Sequence, residues 1–233
     1  MAVKPDTLGK DELTLSEKIG EFIQRNRTRL LAGLCAIVLV IAGFIIISVV
    51  REKNLSNALS KLDTLSRRYD DLRASISSKE EMSASQLSEL TVLIADIAEF
   101  EKNNSGFPAA RAYSISASIY MDQEKWEQAE EKWLKAAETA PKTYLAPIAI
   151  YNAAVAAEGQ DNIETAITYY TQAAGFRESF PSAVRAQFSV GRLEESRNNK
   201  DSAIAAYRNL LANWPNDPVW PNLAQNRLLI LTD

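Results

Sequence analysis

The longest departure from mixed hydrophobic and polar patterning is Leu30–Val50, LLAGLCAIVLVIAGFIIISVV. It is 21 residues without a charge, and Cys35 and Ser48 are its only polar side chains. At ~1.5 Å per residue, a helix of this length spans the ~30 Å hydrocarbon core of a bilayer. A lone strand would leave its amides unpaired in lipid, so a helix is required. The run lacks the amphipathic period of a soluble core helix. It is too long for a cleaved signal peptide, and SVVREKN follows it instead of small residues at a cleavage site. Leu34 before Cys35, and the apolar residues beyond, do not make a lipid-attachment site. Leu30–Val50 is therefore read as an uncleaved signal anchor.

Shorter patterns flank it. Thr14 and Glu17 have the spacing of a capping box, and Leu15, Ile19, Phe22 and Ile23 fall on one face of a short helix. That helix either lies on the membrane surface or leads into the span. Beyond the span, Leu55, Ala58, Leu62, Leu65, Tyr69, Leu72 and Ile76 recur at steps of three and four. Such a stripe suits a dimerising coiled coil or, the preferred reading, a helix packed on its own chain. A polar break at Ser75–Ser85 precedes a second helix with Leu87, Leu90, Ile94 and Ile97 on one face. Asn103 to Pro108 is expected to stop that helix, closing an antiparallel hairpin.

From Ala110 the pattern repeats every 37 residues. Ala117, Ala154 and Gly191 share one phase, Ala129, Ala166 and Ala203 a second, and Trp133, Tyr170 and Tyr207 a third. Each unit reads as two helices whose small residues permit close approach. The aromatic, one turn along the same face, fills the space they leave. This pattern resembles the tetratricopeptide repeat (TPR), a helix–turn–helix unit of 34 residues. The first unit carries Tyr113, Ala117, Tyr120, Ala129, Trp133, Ala136 and a closing Pro141. The third carries Gly191, Ala203, Tyr207 and Pro215. In the second, Ala154, Ala166, Tyr170 and Ala173 are followed by Pro181, three residues later than the pattern predicts. The longer period predicts long helices or connecting turns. Val219–Leu231 suits a capping helix, with Pro221 in its first turn and Leu223, Leu228 and Leu231 apolar.

The expected class is all-α, with one N-terminal transmembrane helix, a helical hairpin and a TPR right-handed superhelix. The expected divisions are a partly disordered arm at 1–29, the span at 30–50, the hairpin at 51–106, three repeats at 107–217 and the cap at 218–233. This layout resembles the YfgM-like ancillary subunits of the SecYEG translocon, and the repeats are also similar to the TPR domain of the CpoB cell-division coordinator. The resemblance implies a periplasmic TPR domain and a cytoplasmic N-terminus in the inner membrane. Charge speaks faintly on orientation: five Lys or Arg lie near each end of the span, and the Arg25, Arg27, Arg29 cluster leans towards a cytoplasmic arm.

Composition narrows the chemistry. Residues 51–233 carry 20 Lys or Arg and 25 Asp or Glu, which argues against a nucleic-acid surface. The chain has no histidine and one cysteine, which removes the commonest general base, the commonest zinc ligand and any intramolecular disulfide. The glycines form neither a phosphate loop nor a dinucleotide fingerprint. No catalytic, metal or cofactor site is expected. Glu130-Glu131 and Glu194-Glu195 read as solvated faces, and Trp126, Trp214 and Trp220 as packing between repeats or, less readily, as a binding surface.

The TPR resemblance implies where a protein partner would sit, in a groove lined by the first helix of each unit. The corresponding positions are Arg111, Ser114, Ser118 and Met121, then Ile148, Tyr151, Val155 and Glu158, then Arg185, Phe188, Arg192 and Glu195. They suit an extended or helical segment with apolar anchors and some acid. The expected partners are translocon subunits, envelope clients or chaperones. A self-associating organiser of envelope or cell-division machinery, pairing through 55–76, is the alternative.

Overall fold

The computed structural model describes residues 15–76 and 82–232. Within them the chain is all helical, with nine helices and no strand. It forms two compact units, Met1–Ser56 and Asn57–Asp233. Helix α1 (Leu15–Ser75) contributes to both.

The first unit exposes its apolar side chains. Leu39, Val40 and Phe44 are each 72% accessible, and Ile19, Phe22 and Ile23 are also exposed. The helix is long and apolar enough to cross a membrane. Leaving this much apolar surface in water is costly, at roughly 25 cal/mol per Å², and acyl chains remove the penalty. Residues 1–14 of the arm, including Thr14 of the expected capping box, lie outside the described residues, and from Leu15 the arm is the start of α1.

The second unit begins with the C-terminal part of α1 and α2 (Ala84–Asn103), followed by α3 (Gly106–Asp122). Leu62, Leu65, Tyr69 and Leu72 are buried against Leu90, Leu93, Ile97 and Phe100, with Ala112, Ile115 and Ile119 of α3 closing the cluster. From Leu62 to Leu72 the heptad stripe is thus covered by its own chain, as in the preferred reading, whereas Leu55 is 46% exposed. The alternative dimer through 55–76 has no apolar seam left at these four buried positions. Lys79, Glu80 and Glu81 of the polar break lie outside the described residues. At its far side is a capping box absent from the sequence reading. Ser83 Oγ accepts from Gln86 N–H, and Gln86 Oε1 accepts from Ser83 N–H at 2.8 Å. The stop at 103–108 is shorter than expected: Asn104 and Ser105 are extended, and Gly106, at φ +61°, already opens α3.

Three helix pairs follow: α3 with α4 (Trp126–Thr139), α5 (Leu145–Gly159) with α6 (Ile163–Ala174), and α7 (Ala183–Ser196) with α8 (Lys200–Asn213). The 37-residue period governs backbone as well as side chains. Glu124, Asp161 and Asn198, each 37 apart, hold left-handed φ of 56°, 59° and 60° in the intrapair turns. After each of them, the N–H of Lys125, Asn162 or Asn199 donates 2.9 Å back to the carbonyl of Tyr120, Ala157 or Glu194. This is the 6→1 bond that closes a helix C-terminus. Ala117, Ala154, Ala129, Ala166 and Ala203 are fully buried and Gly191 is buried. Trp133, Tyr170 and Tyr207 are no more than 7% exposed.

The late Pro181 of the second repeat lies in the α6–α7 connection, 175–182, where Phe180 turns inward against Tyr151, ring centres 5.8 Å apart. Helix α9 (Trp220–Thr232) caps the last pair. Asp217 Oδ1 accepts from Val219 and Trp220 N–H, and Ala224, Leu228 and Leu231 pack on α8. Leu223, expected in this contact, is 40% exposed.

Candidate protein-binding groove

The first helices α3, α5 and α7 border a cavity of ≈ 580 Å³. Seven of the twelve expected groove positions line it: Met121, Tyr151, Val155, Glu158, Arg185, Phe188 and Arg192. Trp126 at the start of α4 and Trp220 at the start of α9 complete the aromatic lining. The sequence leaves both tryptophans as inter-repeat packing or, less readily, a binding surface, and in the structure they pack and also line the cavity. Trp126 lies against Gly159, where even a Cβ would meet the indole at 2.5 Å. Trp220 stacks tilted on Phe188, ring centres 5.2 Å apart.

The other five positions lie elsewhere. Arg111 donates to Asp63 of α1 at 3.2 Å. The Ser114 and Ser118 hydroxyls donate to carbonyls of their own helix, at Arg111 and Ser114. Ile148 borders a second cavity of ≈ 460 Å³ with Tyr144, Phe180 and the other side of Tyr151. Glu195 is held by Arg227 of α9.

Charge in the groove is organised by repeat. Glu158 accepts from Arg192 of the next unit at 2.7 Å and from the Tyr170 phenol at 3.2 Å. One period later, Glu195 accepts from Arg227 and from the Tyr207 phenol at 3.2 Å. The hydrogen bond from Arg227, ahead of the opposing cost of burial, holds the Glu195 carboxyl below the usual carboxylate range. Burial first, then the Glu195 charge, pushes the Tyr207 phenol up to about 12. Burial and Glu158 raise Tyr170 likewise. In the first repeat Met121 stands where Glu158 and Glu195 stand, and among the described residues the Trp133 indole N–H has no hydrogen-bond partner. The acidic pairs are correspondingly mixed. Glu131 and Glu194 are surface groups bonded to Lys135 and Asn199, whereas Glu130 accepts from Tyr169 at 3.0 Å and from Gln160 in the neighbouring pair.

Another carboxylate fixes the hairpin to the first repeat. Glu101 of α2, 7% exposed, accepts from Ser116 of α3 at 2.6 Å and pairs with Lys132 of α4. The Lys132 ammonium also lies 5.1 Å from the centre of the Tyr113 ring. What the groove offers is aromatic surface and guanidinium groups.

Geometry and repeat together define a TPR-like helical protein. Residues 115–213 match a family described as "Domain of unknown function (DUF6340)". A "TPR repeat-containing protein" of Treponema pallidum (strain Nichols) is 32% identical over 127 residues, 54% of this chain and 52% of the relative. The chain therefore spans about half the length of that curated relative. The likeness supports a protein–protein interaction module.

Proposed function

We propose that this chain is a membrane-anchored TPR binding module, ancillary to protein export, that holds translocon subunits, exported envelope proteins or their chaperones in the α3/α5/α7 groove. The observation that carries the reading is the cavity itself. Five aromatic side chains from separate helices and two arginines meet there, and tryptophan, tyrosine and arginine are enriched among interface hot spots. The anchor is the exposed apolar helix of the first unit. In this proposal Leu30–Val50 crosses the inner membrane once, residues 1–29 are cytoplasmic and the TPR unit is periplasmic. The arginine cluster and the layout shared with YfgM-like proteins support that orientation. The organiser alternative draws no support from 55–76, where the stripe is already packed.

Mild-detergent extraction followed by identification of co-purified proteins tests the role. Translocon subunits are expected in the eluate, and protease added to spheroplasts beforehand is expected to remove the TPR unit. Recovery of self-associated chains alone, or a protected TPR unit, contradicts the proposal.

A further inference from the structure

Three arginines occupy the expected groove positions, and the structure separates them. Arg111 is bound to Asp63, and Arg192 to Glu158. Arg185 has no carboxylate within ion-pair distance among the described residues. It is exposed, and its guanidinium lies 5.7 Å from the centre of the Tyr151 ring. A guanidinium stacked on an aromatic face keeps its N–H fork at the edge, free to grip a carboxylate. Stacking also limits the orientations it samples, so less freedom is lost when an acid binds. Around it the cavity offers Val155, Phe188 and Trp220, which favour large apolar side chains. The one acid in the lining, Glu158, is already engaged twice.

Building on the groove reading above, we infer that Arg185 is the specificity-determining residue of the groove, selecting a partner segment with an internal aspartate or glutamate flanked by large apolar side chains. The carboxylate of such a segment sits on the Arg185 fork while its neighbours enter the aromatic cavity. An internal acid is favoured over a chain terminus. A terminal carboxylate is normally gripped by several converging donors, and here, among the described residues, Arg185 is the one lining cation without a carboxylate partner.

The test uses the full chain in detergent micelles and three short acetylated, amidated peptides. Each carries leucine and phenylalanine around one central residue: aspartate, asparagine or lysine. Binding is followed by tryptophan fluorescence, because Trp126 and Trp220 line the cavity. The aspartate peptide is expected to bind at least tenfold more tightly than the asparagine peptide, a difference of about 1.4 kcal/mol. Arg185→Gln should erase that preference, and Arg185→Glu should transfer the preference to the lysine peptide. Equal binding of the aspartate and asparagine peptides to the wild-type chain overturns the inference while the groove reading stands. So does a preference that survives Arg185→Gln. Failure of all three peptides to bind also overturns it. The groove reading itself falls only if the native partner is captured elsewhere.

Discussion

Trp133→Ala lowers the stability of the second compact unit by about 3–5 kcal/mol, the usual cost of emptying a buried aromatic site. Trp133 is 7% exposed and belongs to the core cluster that joins Ala117, Ala129, Ala154 and Ala157 of the first two helix pairs. Much of that cluster is alanine, whose short side chains cannot extend into a void. The loss is one of packing, because the indole N–H has no hydrogen-bond partner among the described residues. In a unit of this size each kcal/mol moves the thermal midpoint by about 2–4 °C. Urea unfolding monitored by far-ultraviolet circular dichroism checks the value. A midpoint within error of wild type would mean that the aromatic phase of the repeat is on the surface.

Gly191→Ala is expected to destabilise by about 1–3 kcal/mol through overpacking. The sign is the informative part. Inside an exposed helix the same change stabilises by about 1 kcal/mol, because glycine is a poor helix former. At Gly191 an added Cβ would lie 2.5 Å from Cε1 of Tyr207 and 2.8 Å from two further ring atoms. The ring cannot swing away cheaply. Tyr207 is fully buried, and its hydroxyl is tied to Glu195. Shortening the ring in the Gly191→Ala, Tyr207→Leu double variant should recover part of the loss, giving a non-additive cycle. A stabilising Gly191→Ala would show that α7 and α8 do not meet at this position.

The parts legible in the sequence are those dictated by packing. Three small residues and an aromatic at a fixed period have no common explanation other than close helix pairs, and Ala117, Ala129 and Trp133 sit where that logic places them. The left-handed turns are not marked by glycine: Glu124, Asp161 and Asn198 are three different residue types, and backbone geometry reveals their equivalence. The groove was half legible. First-helix spacing brings Tyr151, Val155 and Phe188 to the cavity. It cannot say that Arg111 and Arg192 are neutralised, because Asp63 lies 48 residues away and Glu158 lies on another helix pair. Charge counting from sequence therefore made three equivalent arginines of three different ones. Leu55–Ile76 posed a related difficulty. A heptad stripe has the same spacing whether its partner is a second chain or, as here, α2 and α3.

In the proposed function, partners bind in the groove between first helices. Site-specific photocrosslinking in intact membranes examines this, with a benzophenone side chain placed in turn at Val155 and at Thr168. Val155 lines the cavity, and Thr168 is exposed on α6, a second helix. A discrete adduct with a protein of the export pathway is expected from position 155 and none from 168. Adducts from 168 with none from 155 would contradict it and place the partner on the outer face.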